Sequence, residues 1–142
     1  MKQILIALTA MLMILPAEAQ KKKGPVLKFD RTTINVGTFP AESPVKVCHF
    51  TFTNTGDADL YIHQAFASCG CTVPQVPIEP IKPGESDTIT VTYDGTNKSS
   101  GNLRKSITIH NNSKDEMIKI YIMGKMLPAK EKPIKEIEID EE

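Results

Sequence analysis

The chain has 142 residues, with 17 basic against 17 acidic, no Trp and 6% aromatic residues. Balanced charge gives no electrostatic footprint for nucleic acid, so no nucleic-acid partner is expected. The scarcity of rings argues against a stacking surface for single strands or carbohydrate.

Met1-Lys2-Gln3 precedes an apolar run from Ile4 to Leu15. A basic start followed by about a dozen apolar residues has the form of a signal peptide. Crossing a membrane takes roughly 20 apolar residues, so the run is too short to span one. Pro16 follows, then Ala17-Glu18-Ala19, an A-x-A pattern that places cleavage before Gln20. No cysteine lies near the cut, so no lipid anchor is expected. The expectation for residues 1–19 is a signal peptide. The mature chain is then exported to a periplasm or the cell exterior and carries no transmembrane segment. Residues 20–25, with Lys21-Lys22-Lys23, read as a solvated leader. Residues 26–127 are enough for one domain with a modest core.

Val26 to Asp30 and Thr33 to Val36 read as short strands, with Leu27, Phe29, Ile34 and Val36 alternating with polar neighbours. Gly37 is expected to break the run, and Phe39-Pro40-Ala41-Glu42 to form a loop. Val45 to Thr53 reads as a strand with Cys48, Phe50 and Phe52 on one face and His49, Thr51 and Thr53 on the other. Asn54-Thr55-Gly56-Asp57 is a turn.

Leu60 to Ala67 is the next strand, with a bulge expected near Gln64-Ala65-Phe66. Ser68-Cys69-Gly70-Cys71-Thr72 follows as a turn. Pro74, Pro77 and Pro80 lack backbone donors, which restricts their segment to a sheet edge. Lys82-Pro83-Gly84-Glu85 has the residues of a type II turn.

Ser86 to Tyr93 points Ile89, Val91 and Tyr93 inward. Leu103 to His110 does the same with Leu103, Ile107 and Ile109, and Lys105 interrupts that face. Glu116 to Lys125 alternates Ile118, Ile120 and Ile122 with Lys119, Tyr121 and Met123. Residues 128–142 contain three basic and six acidic residues and two prolines, the composition of a flexible tail. Ile134, Ile137 and Ile139 leave open a short strand or a docking peptide. About seven short strands with regular turn signals and no helical periodicity predict an all-β fold. The expected architecture is a single immunoglobulin-like antiparallel β-sandwich.

The turn Asn54-Thr55-Gly56-Asp57, Leu60, the stretch Ser68-Cys69-Gly70-Cys71-Thr72 and Pro83-Gly84-Glu85 together resemble a bacterial exported family, domain of unknown function 1573. It is common in Bacteroidetes. The resemblance runs from about Phe29 to Met126. The family is similar to the immunoglobulin-like domains of major sperm protein and hydin-type proteins, which act as interaction modules. The resemblance implies that fold and an exported location, and no enzyme activity. Cys48 departs from the pattern as an ordinary core position. Asp87-Thr88-Ile89 resembles a short O-glycosylation signal of Bacteroidetes.

The three cysteines admit several chemistries. Bridged cysteines need Cα atoms about 4.4–6.8 Å apart, so a Cys69–Cys71 bond requires a turn at Gly70. Such a bond closes a tiny loop and suits thiol exchange better than stapling. Two thiolates one residue apart also suit Cu(I) or half of a zinc site, with His63, His49 or Met123 as helpers. No four-ligand zinc site is visible, and no metal or cofactor is assigned. Folding about Gly56 would set Cys48 level with Gln64 and allow a bridge from Cys48 to Cys69 or Cys71. A buried structural turn of small residues is the remaining reading. His49, His63 and His110 have no nucleophile at a recognisable spacing. The leading expectation is a non-enzymatic exported module that binds a protein partner, with Asn54, Gly56, Gly70, Thr72, Pro83 and Gly84 as motif turns. The alternative is periplasmic thiol or soft-metal handling at Cys69 and Cys71.

Overall fold

The computed structural model describes residues 24–130. The expected signal peptide and residues 131–142 of the expected tail lie outside the described residues. The described chain forms eight strands: β1 (Leu27–Phe29), β2 (Thr33–Pro40), β3 (Val45–Asn54), β4 (Ile62–Ala67), β5 (Thr72–Gln75), β6 (Ser86–Asp94), β7 (Gly101–Asn111) and β8 (Met117–Leu127). They make two four-stranded sheets, one in the order β1-β3-β6-β5 and the other β2-β8-β7-β4.

Alternation decides which side chains fill the space between the sheets. Phe50 and Phe52 of β3, Ile89 and Val91 of β6, Ile107 and Ile109 of β7, and Ile120 and Ile122 of β8 are fully buried. Burying each contributes about 1.5–3 kcal/mol. β-Branched residues suit these central strands because their stiff side chains pack well on a pleated surface. Phe29 leans on Phe52 at 5.6 Å between ring centres, which fastens the short β1 to the core.

Three differences from the expected strand plan have physical causes. Gly37 does not end β2. It adopts φ +72°, and its N–H donates to Asn35 Oδ1 at 2.8 Å. The pairing of β2 with β8 slips by one residue there, between Asn35 and Thr38, as at a bulge. The strand then continues, because Phe39 is buried and Pro40 still pairs with Leu127. The β2–β8 pair is also parallel, where an antiparallel sandwich was expected. Finally, the Asn54 turn does not close a hairpin. β3 and β4 lie in opposite sheets, so Cys48 pairs with Val91 while Gln64 pairs with His110.

The proline-rich segment does take an edge. β5 is the outermost strand of its sheet, with Pro74 opposite Val91. Five connections pass between the sheets: β1 to β2, β2 to β3, β3 to β4, β4 to β5 and β6 to β7. The one from β4 to β5 is made by Ser68-Cys69-Gly70-Cys71.

Candidate functional site at the CxC corner and the opposite polar end

β4 ends at the margin of one sheet and β5 begins at the margin of the other, so the four residues between them must turn a corner. Ser68 holds the corner to β7: its N–H donates to the Ser106 carbonyl at 2.9 Å, and Ser106 N–H donates to Ser68 Oγ at 3.2 Å. Thr72 N–H donates to the Cys69 carbonyl at 3.2 Å, which closes the turn. Asp94 N–H donates to the Cys71 carbonyl at 2.8 Å, which ties the corner to β6. Within the turn Cys69 and Cys71 form a disulfide with Cα atoms 5.3 Å apart. Thr72 is buried beneath it, with its hydroxyl 3.5 Å from Cys69 Sγ.

Cys48 takes no part in this bridge. It is a free thiol buried between the sheets, and burial raises its pKa. Asp94, beside the corner, is shifted the opposite way, because Thr96 hydrogen bonds favour its carboxylate. The helpers considered for a metal are scattered. His49 lies on the outer face of β3 against Thr90 Oγ1 at 3.2 Å, His63 is exposed on β4, and Met123 faces outward from β8. Among the described residues, no group of three or more His, Cys, Asp or Glu side chains is placed to hold a metal ion.

The other motif residues meet at the opposite end of β6. Asn54 is fully buried there and uses its whole side chain. Its Nδ2 donates to the carbonyls of Ala58 and Ile81, both at 2.8 Å. Its Oδ1 accepts from Gly56 N–H at 3.0 Å and Val26 N–H at 3.3 Å. Its main chain bonds to Glu85 O and accepts from Gly84 N–H. Gly84 stands at φ +82° in the turn that Glu85 N–H closes onto Lys82 O at 3.0 Å. Gly56 fits beneath the first segment, where a Cβ would fall onto the Gly24 carbonyl and within 2.7 Å of Val26 N. Thus Asn54, Gly56, Pro83 and Gly84 form one cluster, and Cys69, Gly70, Cys71 and Thr72 form another. Ser86 and Asp94 mark the two ends of the strand between them, about 26 Å apart at the rise of a strand.

Two features escaped the sequence reading. Asn111, at the end of β7, is buried and its Nδ2 donates to Asp115 O at 3.0 Å, while its Oδ1 accepts from Ser113 N–H. The second is an open sheet edge. The β2 ladder reaches β8 only from Tyr121 onward, leaving Met117–Ile120 without a strand on that side. A groove runs between this stretch and β1, lined by Leu27, Phe29, Thr32, Met117 and Ile118 among others. Other margins are blunted: β1 has three residues, β5 carries Pro74, and β2 and β4 have register shifts.

No helix among the described residues is long and apolar enough to cross a membrane. The sequence model of the family "Protein of unknown function (DUF1573)" matches residues 27–126. No curated protein matches the chain in sequence. Among solved structures, a protein of unknown function from Porphyromonas gingivalis W83 is similar at TM-score 0.61 and 18% identity. The match covers 79% of this chain and 51% of that one, so the chain spans about half the length of that protein. A PapD-like domain of human CEP192 is similar at TM-score 0.56 and 10% identity, over 77% of this chain and 88% of that one. The CupB2 chaperone of Pseudomonas aeruginosa is similar at TM-score 0.50 and 11% identity, over 68% and 53%. At these identities the likeness shows the fold, a PapD-like, immunoglobulin-like sandwich.

Proposed function

The chain belongs to that family of unknown function, and from this premise we propose that it is an exported, non-enzymatic module of the cell envelope that binds another polypeptide by strand addition. The open edge of β8 carries the reading. Lys119 is two residues before Tyr121, whose N–H donates to Thr32 O toward the β2 side. By the period of two, the Lys119 main chain faces the same side, just beyond the end of β2. An extended segment laid there would continue the line of β2, with main-chain bonds giving affinity and the flanking apolar groove selecting side chains. Export is supported by the Lys2, Ile4–Leu15 and Ala17-Glu18-Ala19 pattern. A chaperone among proteins of this fold supports a polypeptide partner.

The test is a photo-crosslinking residue placed at Met117 in the full chain, expressed in its own cells, with the same residue at Thr92 as control. A discrete adduct from position 117 alone, found on a processed chain in the envelope fraction, is the expected result. Equal adducts from both positions, or none, would overturn strand addition at this edge. An unprocessed chain in the cytoplasm would overturn export.

A second reading rests on the Cys69–Cys71 bond. Both cysteines are half-buried at the corner, Cys71 packing against the core and Cys69 between the exposed Ser68 and Gly70, and a thiolate from another protein would approach from the Cys69 side. Thiol exchange there would leave the fold largely intact. Substituting both cysteines by Ser should then abolish a measurable reduction potential without loss of folding. If the substitutions change only stability, this second reading fails.

A further inference from the structure

The outer face of the second sheet is cationic. By the period of two, β7 presents Arg104 and β8 presents Lys119 and Lys125 on that face. All three are exposed. Register places Asn102 beside Lys125 and Arg104 beside Met123, so Arg104 and Lys125 are diagonal neighbours. Arg104 lies over the Tyr121 ring at 5.1 Å, which holds its guanidinium on the sheet. The residues of β2 and β4 that share this face are Thr33, Asn35, Thr38, Gln64 and Phe66, among others, and none is acidic. The strand residues of the face are therefore net positive, with Glu116 at its far end beside Gln64 and His110, and the charges are interleaved with the half-exposed apolar Met123 and Leu127.

We infer that this face binds the acidic segment 131–142 of the same chain. The described chain leaves the fold beside this face. β8 ends at Leu127, Ala41 N–H donates to its carbonyl at 3.1 Å, and Lys130 N–H donates to Glu42 Oε1 at 2.8 Å. Residues 131–142 contain six acidic residues against Lys132 and Lys135, so their charge complements the face. Their length also suffices. Twelve extended residues reach about 40 Å, whereas Lys125 and Lys119 are about 20 Å apart along β8. In Glu136-Ile137-Glu138-Ile139-Asp140 acidic residues alternate with isoleucines. An extended run of this pattern offers carboxylates toward one side and apolar groups toward the other. This occupant differs from the strand partner proposed above, which would use the β8 edge rather than the sheet face.

The experiment compares amide resonances of the full mature chain with those of the variant E136Q/E138Q/D140N. Expected, outside the substituted segment itself, are shifts confined to 102–106 and 119–125, independent of protein concentration. They should be lost between about 0.1 M and 1 M salt, as the screening length falls from ~10 Å to ~3 Å. The reciprocal variant R104E/K125E should shift the amides of 136–140. Shifts elsewhere, or none, overturn the inference. Shifts that grow with protein concentration also overturn it, because the acidic segment would then be binding a second copy.

Discussion

At the Ser86 end of β6, one asparagine side chain joins the first segment, its own turn and the loop at Ile81, and its main chain joins the Pro83-Gly84-Glu85 turn. At the Asp94 end, a corner of small residues is joined by a disulfide and by main-chain bonds to both sheets. Both ends solve the same problem, which is how to hold chain that passes between sheets without a hairpin. They solve it at different depths. Asn54 is fully buried and its side chain bonds four main-chain groups, one of these bonds buried and three part-buried. The cysteines are only half buried, and their closed loop is tiny. The Asn54 end should therefore fix the fold, while the corner has room to change its chemistry without unfolding the chain.

The largest effect should follow from Asn54→Ala. It orphans the Ala58 carbonyl and the Val26 and Gly56 N–H groups, while the Ile81 carbonyl keeps its bond from Leu60 N–H, and an unsatisfied buried group costs about 1–3 kcal/mol. Partial access of water should limit the total to about 3–4 kcal/mol, measured as a shift in the urea midpoint. A loss under about 1 kcal/mol would show that the cluster is not what holds this end. Gly56→Ala comes next. Its Cβ would meet main-chain atoms of Gly24 and Val26, which cannot rotate away. An overpacking loss of about 2–3 kcal/mol is expected, visible in thermal unfolding.

Cys48 lies in the core between the two ends and reports on the core alone. Cys48→Ser places a hydroxyl in the core, opposite Val91 across the β3–β6 pair, and should lower stability by about 1–3 kcal/mol. Its titration gives a second readout. Burial raises the folded thiol above its unfolded value, so folding keeps the proton. That stabilisation is full below the unfolded pKa of about 8.5 and is lost as pH rises from there through the folded value. Urea unfolding from pH 7 to 10 should show a decline beginning near pH 8.5 that Cys48→Ala lacks. Tyr93, also raised by burial, shares the sign and adds its own decline nearer its usual value of about 10 in both proteins. Identical profiles for wild type and Cys48→Ala would contradict the buried thiol.

Much of the fold was legible because alternation reports directly on burial. Ile89, Val91, Ile107, Ile109, Ile120 and Ile122 were all readable as inward from their spacing alone. Pro83-Gly84 gave its turn, and Pro74 its edge, because these residues restrict the backbone locally. Strand neighbours were not legible. A period of two says which face is buried but not which strand lies alongside. That is why Cys48 was set against Gln64 instead of Val91. Gly37 read as a stop because its bulge becomes tolerable only once β8 supplies the partner for Phe39 and Pro40. Asn54 was visible as a turn former, while its bonds to Val26 and Ile81, 28 and 27 residues away, depend on the closed sandwich. The CxC turn was found by spacing. Its position between two sheet margins is a property of topology.

The smallest effect should come from the corner. Closing a loop of three residues removes little disorder from the unfolded chain, and the loop-entropy relation gives about 1–2 kcal/mol. Cys69→Ser/Cys71→Ser should therefore lower the urea midpoint far less than Asn54→Ala. Reductant should move the wild-type midpoint to that of the double variant and leave the variant unmoved. The main-chain bonds from Thr72, Asp94 and Ser68 remain in both cases, and they suffice to keep β4 and β5 on their sheets. A loss as large as that of Asn54→Ala would reverse the comparison and make the corner the anchor of the sandwich. If reductant has no effect on the wild type, the small size of the cysteines, and not their bond, is what the corner requires.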